Sequence, residues 1–258
     1  MPADGAAALN SLRHVVAEIE ARDTTVLEYA GRSLALGIDF IDTALDGGFA
    51  FGALHEVAPA APLHLGAAAG FALALAARGG KMLLWIQPEF AGLEAGGLYG
   101  PGLQLLGFPL QRLLVLRVKH PVDALWAMEE ALKCRALAMV VAELANEGEA
   151  ADVTATRRLA LAARDGGALG LLLRHRVSGI PSAAATRWTI AAAPSQPDAF
   201  GGLGRTAFDL SLVKNRRGPI GRWNVAWDQH EHTFSALSLG VAQTAGDRPD
   251  RARLARTG

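Results

Sequence analysis

The feature that most constrains the fold is a regular alternation of short apolar runs with helix-type segments between residues 54 and 173. Short apolar runs separated by helices are typical of strands that are buried on both faces of a sheet. We therefore predict βαβ units, and from them an α/β fold with a mainly parallel sheet flanked by helices. The predicted strands are Leu54–Val57, Lys81–Gln87, Leu113–Val118, Ala138–Ala142 and Ala168–Leu173.

The pattern changes in the last third of the chain. Three further strand-type runs follow one another with turn-rich segments, and no helix-type segment, between them. Consecutive strands joined by turns pair antiparallel, so we predict an antiparallel extension at the C-terminal edge of the sheet. These runs are Trp188–Ala193, Phe208–Val213 and Trp223–Trp227.

The sequence divides into three segments. Apolar residues recur at helical spacing near the start, which predicts an amphipathic helix over residues 6–21 within an N-terminal segment 1–33. Residues 34–240 contain all the predicted strands and form the expected core. Residues 241–258 alternate Arg, Asp, Ala and Pro, and we expect a flexible tail there.

A phosphate-binding loop is expected between the first predicted strand and the helix-type segment 67–78, but the loop has the wrong residues. A P-loop needs glycines that turn successive backbone N–H groups into one cradle, a Lys for the phosphates and a Ser/Thr for Mg²⁺. Here Pro59 and Pro62 remove two N–H donors, and Leu65-Gly66-Ala67 stands in place of Gly-Lys-Ser/Thr. We therefore expect no nucleotide cofactor and no catalytic residue.

Composition narrows the function class further. The 258 residues contain 25 basic and 25 acidic side chains, a formal net charge of zero, which argues against strong global attraction to nucleic acid. The single cysteine, Cys134, is consistent with a reducing compartment. No signal peptide or membrane-spanning apolar stretch is visible, so a cytoplasmic protein without a membrane partner is expected.

One local cluster of basic residues stands out in this neutral chain. The segment 214–222 contains four cations and no acid: Lys214, Arg216, Arg217 and Arg222. With Trp223 and Trp227 following on one strand face, an Arg/Trp platform for single-stranded DNA is one interpretation. Large aromatics at alternate strand positions more often face the core, and we predict that for both tryptophans. The cations fit nucleic acid, a protein partner or plain surface about equally.

Two motifs in this order resemble the RecA superfamily. The segment Leu36–Val57, with its Leu-Asp-Gly-Gly turn at 45–48, resembles the lead-in to a RecA-type nucleotide loop. The segment Val213–Pro219, which contains Lys-Asn-Arg-Arg-Gly, resembles a stretch that these proteins place near the neighbouring subunit. The resemblance implies that residues 34–240 are a RecA-like core without a working P-loop.

Within that superfamily the chain is similar to the ImuA family, through the failed loop, the N-terminal helix, the length and the Lys-Asn-Arg-Arg-Gly…Trp ending. This resemblance implies a non-catalytic adaptor in SOS-induced translesion synthesis and damage-induced mutagenesis. The implied partner is an ImuB-like relative of the Y-family polymerases. RecA, an error-prone C-family polymerase and single-stranded DNA are further implied partners.

The resemblance also marks two positions where ATPases of the superfamily keep catalytic acids. Glu89 corresponds to the glutamate that positions the attacking water, and Glu143 to the Walker B carboxylate. Without a lysine and a Ser/Thr to hold phosphates, we interpret both as vestigial. Two other functions remain open: a divergent ATPase or recombinase paralogue, and a SulA-like inhibitor of cell division.

Overall fold

The structure is a computed structural model that describes residues 14, 32–79, 81–145, 151–195, 202 and 204–237. His14 is helical and exposed, and the rest of the helix predicted over residues 6–21 lies outside the described residues. The tail predicted over 241–258 also lies outside them. The fold below is therefore that of the predicted core.

The predicted sheet is confirmed. Nine strands of the described chain form one sheet in the order β11-β10-β9-β8-β3-β7-β6-β4-β5, and a separate antiparallel pair, β1 and β2, precedes it. The strands are β1 (Ser33–Leu34), β2 (Phe49–Ala50), β3 (Leu54–Pro59), β4 (Leu83–Pro88), β5 (Leu113–Val118), β6 (Met139–Leu144), β7 (Leu169–Arg174), β8 (Thr186–Ala192), β9 (Thr206–Asn215), β10 (Gly221–Asp228) and β11 (Thr233–Ala236).

Strand direction divides the sheet into two parts. All pairings from β8 through β3, β7, β6 and β4 to β5 are parallel. The pairings of β8 with β9, β9 with β10 and β10 with β11 are antiparallel, as predicted for the C-terminal edge. Since parallel strands end at the same edge of a sheet, the carboxyl ends of β3, β4, β6 and β7 lie together at one edge. Open α/β sheets bind their ligands at this edge.

Helices cover the two faces of the parallel part. In the described ranges the helices are α1 (Asp39–Ala44), α2 (Leu65–Gly79), α3 (Glu89–Ala95), α4 (Gly100–Leu105), α5 (Pro121–Leu132) and α6 (Val153–Gly166). Asp152 caps α6 as its Oδ1 accepts a 2.7 Å hydrogen bond from the backbone N–H of Ala155. None of the helices in these ranges has the length and apolar character needed to cross a membrane.

The core has two layers, one on each face of the sheet. On one face, Phe71 of α2 belongs to the same core cluster as Trp85 and Trp188. On the other face, Met128 of α5 and Leu159 of α6 belong to a second cluster. The tryptophans of β10 belong to the first layer. Trp227 is fully buried, and Trp223 is half-buried against the same core, as the alternating pattern predicts.

Candidate functional site

The segment between β3 and α2 does not form a phosphate cradle. Residues Pro62–His64 form a single turn of 3-10 helix that continues directly into α2. Ala61, just before this turn, is extended with φ −148° and ψ 159°. A cradle needs a concave turn in which consecutive N–H groups converge on one anion, and a helical turn leading into a helix does not provide it.

Most backbone donors of this segment are absent or already bonded. Pro59 and Pro62 have no N–H group. The N–H of Ala60 donates to the carbonyl of Ile190 at 2.8 Å, which ties the loop to β8. The N–H of His64 donates to the carbonyl of Ala61 at 2.8 Å, and that of Leu65 to the carbonyl of Pro62. Binding a phosphate here would require these hydrogen bonds to break.

Steric crowding does not explain why position 66 has no lysine. Gly66 is exposed, and a Cβ built on it would meet nothing within 4 Å. A side chain can therefore begin at this position without a clash at its Cβ. The backbone hydrogen bonds and the residue types at 65–67 both depart from a nucleotide site, and each does so independently of the other.

A cavity of about 490 Å³ nevertheless lies beside this loop, at the carboxyl ends of the parallel strands. Its walls are mostly apolar, and its polar side chains come from β4, β6 and the residue that follows β7. No lysine or arginine is among the described residues that line it. The lining consists of Pro62, Leu63, Leu65, Gly66, Ala69, Gln87, Gly96, Gly97, Leu98, Glu143, Leu173 and His175.

The floor of the cavity is an organised polar network around Glu143, which is only 5% exposed. Its Oε1 accepts hydrogen bonds from Trp85 Nε1 at 2.5 Å and from Gln87 Nε2 at 2.8 Å. Its Oε2 lies 3.2 Å from Nε2 of His175. The carboxylate is therefore held in place by three side chains. A phosphate binds to positive groups, and a carboxylate would repel it.

The structure does not bring the second vestigial position to this cavity. Glu89 is the first residue of α3 and is exposed, and it is not among the residues that line the cavity. Glu143, by contrast, lies near the carboxyl end of β6, where a Walker B acid is expected. Only one of the two acids is therefore placed where it would face a bound molecule.

The four cations of segment 214–222 lie at the other part of the sheet, on β9, on β10 and on the turn between them. Arg216 and Arg217 are exposed in the turn. Lys214, in β9, donates from Nζ to the carbonyl of Ser182 at 2.7 Å, and its burial, together with the charges of Arg216 and Arg187, lowers its pKa below the ordinary value.

Arg222 is different from the other three because it is paired. Its guanidinium forms a bidentate ion pair with Asp209 of the adjacent strand β9, with Nε donating to Oδ1 at 2.8 Å. Asp209 raises the pKa of Arg222, first through the hydrogen bond and then through its charge. The segment contains no acid in sequence, but the neighbouring strand supplies one.

A buried charge network that sequence reasoning missed joins the parallel and antiparallel parts. Glu56 of β3 is 0% exposed; its Oε1 accepts from Arg174 Nη2 at 2.9 Å and its Oε2 from Arg187 Nε at 2.7 Å. Arg187 also donates to the carbonyls of Ser178 and Ile180. The network therefore fixes the segment after β7. The sequence did contain one signal for this network, because Glu56 is an ionisable residue inside the apolar run that forms β3.

The fold and the sequence were both compared with known proteins. The crystal structure of the RadB recombinase matches with a TM-score of 0.55 and 16% identity, over 80% of this chain and 100% of that one. This likeness shows that the fold is RecA-like. No model of a known protein family matches the sequence.

Relatives with a closer sequence were found in one bacterium. The Protein ImuA of Caulobacter vibrioides strain NA1000 / CB15N is 34% identical over 210 residues, which cover 74% of this chain and 81% of that protein. The Protein ImuA of strain ATCC 19089 / CIP 103742 / CB 15 matches to the same extent. This identity, over most of both chains and on a RecA-like fold, means that the chain belongs to the ImuA family.

Proposed function

We propose that this chain is a non-catalytic adaptor in SOS-induced translesion synthesis and damage-induced mutagenesis. It bridges an ImuB-like relative of the Y-family polymerases and an error-prone C-family polymerase to DNA or to RecA. Membership in the ImuA family supports the biological context. The observation that carries the non-catalytic part is the bonded backbone of the loop between β3 and α2.

The electrostatics of the cavity support the same proposal. A triphosphate entering it would meet the Glu143 carboxylate and no lysine or arginine among the described lining residues. Placing like charges together in a partly dry site costs several kcal/mol. The N–H groups of Ala60, His64 and Leu65, which would have to offset this cost, already donate within the protein.

Calorimetric titration with ATP and Mg²⁺ tests this proposal. We expect no binding tighter than about 1 mM, which corresponds to roughly −4 kcal/mol. The matched variant carries Gly66→Lys and Ala67→Thr, which restores the missing side chains at a position with room for them. Because the backbone donors stay bonded, this double variant is expected to bind no better. Micromolar binding by the unmodified chain would refute the proposal.

Direct contact with single-stranded DNA is expected to involve Arg216 and Arg217 rather than all four cations. Arg222 is paired with Asp209 and Lys214 is bonded to Ser182, so two exposed guanidiniums remain in the turn. At roughly 0.7 per phosphate, log K should fall with log[salt] with a slope of about −1.4, whereas four phosphate contacts would give about −3. Fluorescence anisotropy with an oligothymidine measures this slope.

The control for this measurement is Arg222→Gln, which removes one positive charge from a site paired with Asp209 and should leave the slope unchanged. The double variant Arg216→Gln and Arg217→Gln should abolish it. Co-purification with the ImuB-like subunit, using the same variants, separates the two kinds of partner. If protein binding is lost while DNA binding is retained, the turn is a protein interface and not a DNA site.

A further inference from the structure

We propose that the cavity beside the failed loop binds a short apolar peptide segment of a partner protein, with one basic side chain of that segment reaching the Glu143 carboxylate. This inference rests on the proposed function in one respect, that the cavity holds no nucleotide. It deepens that function, because it names what occupies the cavity instead. Four properties of the described residues carry it.

The first property is unused acceptor capacity at the floor. Glu143 Oε1 already accepts two hydrogen bonds, from Trp85 and Gln87. Among the residues that the structure describes, its Oε2 has His175 Nε2 as its one partner, at 3.2 Å, and a carboxylate oxygen accepts about two hydrogen bonds. One position on Oε2 is therefore open to a donor that enters from the cavity.

The second property is a buried acceptor without a donor. Gln87 is 3% exposed and lines the cavity, and within the described part of the chain its Oε1 has no hydrogen-bond partner. Buried polar atoms in native proteins are nearly always bonded, so an unbonded one calls for an explanation such as a bound group. Both unsatisfied positions are acceptors, so the missing group is a donor. A guanidinium, with five N–H groups in a fixed fork, supplies the most donors of any side chain.

The third property is charge. The described lining contains one carboxylate and no lysine or arginine, with His175 as its one other ionisable group. The Arg117 guanidinium lies near Gly97 but does not line the cavity. A buried carboxylate with no lysine or arginine beside it in the described lining favours a cation as its further partner, because opposite charges attract most strongly where water is excluded.

The fourth property is the apolar mouth. Leu63 is 81% exposed at the rim, and Pro62, Leu65, Leu98 and Leu173 continue the apolar wall inward. A volume of about 490 Å³ is within the range of ligand pockets. An apolar rim that stays exposed around a charged floor fits a chain that enters with a long basic side chain and lays apolar neighbours on the rim.

The probe for this site is a capped tripeptide, leucyl-arginyl-leucine, with an acetylated N-terminus and an amidated C-terminus. The matched control replaces arginine by citrulline, which has nearly the same shape without the charge. Binding is followed by NMR of ¹³C-labelled leucine methyl groups in the full chain. We expect Leu65, Leu98 and Leu173 to shift with a dissociation constant of about 1 mM, and the citrulline peptide to bind about tenfold more weakly.

Three variants make the result decisive. Leu63→Lys places a cation at the mouth and is expected to weaken the arginine peptide at least about tenfold. Leu105→Lys makes the same change at another highly exposed leucine, on α4 and outside the cavity, and should leave binding unchanged. Glu143→Gln is expected to remove the difference in affinity between the arginine and citrulline peptides. If Glu143→Gln does not fold, Leu63→Lys still tests the site.

The outcomes separate this inference from the proposed function. Equal binding of the two peptides, shifts confined to methyl groups outside the cavity, or no shifts at all would overturn the peptide site and leave the adaptor role standing. ATP with Mg²⁺ is added in a parallel titration. Shifts of the cavity methyl groups at micromolar ATP would overturn the proposed function, whatever the peptides do.

Discussion

Replacing Glu56 by glutamine is expected to lower the free energy of unfolding by about 3–5 kcal/mol. Arg174 is 1% exposed, and its Nη2 lies 2.9 Å from the Glu56 carboxylate, so the substitution removes a negative charge in direct contact with a buried cation. Arg187 of the adjacent strand β8 also loses its ion pair with the Glu56 carboxylate. Removing one member of a buried charge network costs far more than the net value of the network, because the remaining charges stay desolvated.

Urea denaturation monitored by tryptophan fluorescence measures this loss. Glu129→Gln is the matched control, since Glu129 pairs with Arg158 at the surface, where ion pairs contribute about 0–1 kcal/mol. A loss below about 1 kcal/mol for Glu56→Gln would contradict a structural role of the network. The variant should also loosen the segment after β7, whose carbonyls at Ser178 and Ile180 are held by Arg187.

The parallel sheet could be predicted because its strands are encoded by local apolar runs. Strands such as Leu83–Pro88 and Met139–Leu144 are buried on both faces, and such strands lack polar alternation. The family could be recognised from the loop residues, the N-terminal helix-type segment, the length and the Lys-Asn-Arg-Arg-Gly…Trp ending, and the ImuA relatives confirm it. The short strand β11 was missed, because Thr233–Ala236 contains one buried residue, Phe234, and so gives no strand-type run.

The side-chain networks could not be predicted, because they join residues distant in sequence. Glu56 and Arg174 are separated by 118 positions and meet only because β3 and β7 are adjacent in the sheet. Asp209 neutralises Arg222 across a strand pair in the same way, so counting charges along 214–222 overstates the cluster. The partners of Glu143 likewise come from the neighbouring strand β4 and from the residue after β7.

The departure of the loop between β3 and α2 from P-loop residue types was visible in the sequence, and the structure adds backbone hydrogen bonds that the sequence did not show. The two prolines and the absent lysine could be read directly from residues 58–67. That the N–H of Ala60 donates to Ile190 depends on β8 lying beside β3, which is a property of the assembled sheet. The residue types of the loop and its backbone hydrogen bonds each lead us to expect that it does not bind a nucleotide.

The stability of the protein is expected to fall as the pH drops from 6.5 towards 4, because of His55. Burial lowers the pKa of this imidazole to about 4, the hydrogen bond to Ala50 opposes the shift, and the charge of Arg217 adds to it. The folded pKa lies below the unfolded value of 6.5, so the stabilising contribution is complete above pH 6.5 and is lost on acidification through the folded pKa. The loss amounts to about 3 kcal/mol.

Glu56 adds a second loss at lower pH. Burial by itself would raise the pKa of this carboxyl, but the charges and hydrogen bonds of Arg174 and Arg187 outweigh it and hold the pKa below 4.5. With a folded pKa below the unfolded one, its contribution is present above 4.5 and is lost as the pH falls further. The window from 6.5 to 4.5 therefore reports mainly on His55.

The hydrogen bonds of His55 explain why its neutral form is the folded one. The carbonyl of Ala50 accepts at 3.0 Å, so Nε2 carries the proton, and Nδ1 accepts from the Thr186 hydroxyl at 2.7 Å. That hydroxyl in turn accepts from Trp188 Nε1 at 2.9 Å. A proton on Nδ1 would face the Thr186 oxygen, whose own hydrogen would then lose its acceptor inside the core.

Denaturant unfolding of the wild type and of His55→Gln across pH 6.5 to 4.5 tests this mechanism. Glutamine does not titrate, so the variant is less stable at pH 7 but should lose about 2–3 kcal/mol less than the wild type across this window. His230→Gln changes an exposed histidine and should keep the wild-type slope. If His55→Gln loses stability as steeply as the wild type, another group controls the acid response, and the Trp188–Thr186–His55 chain does not.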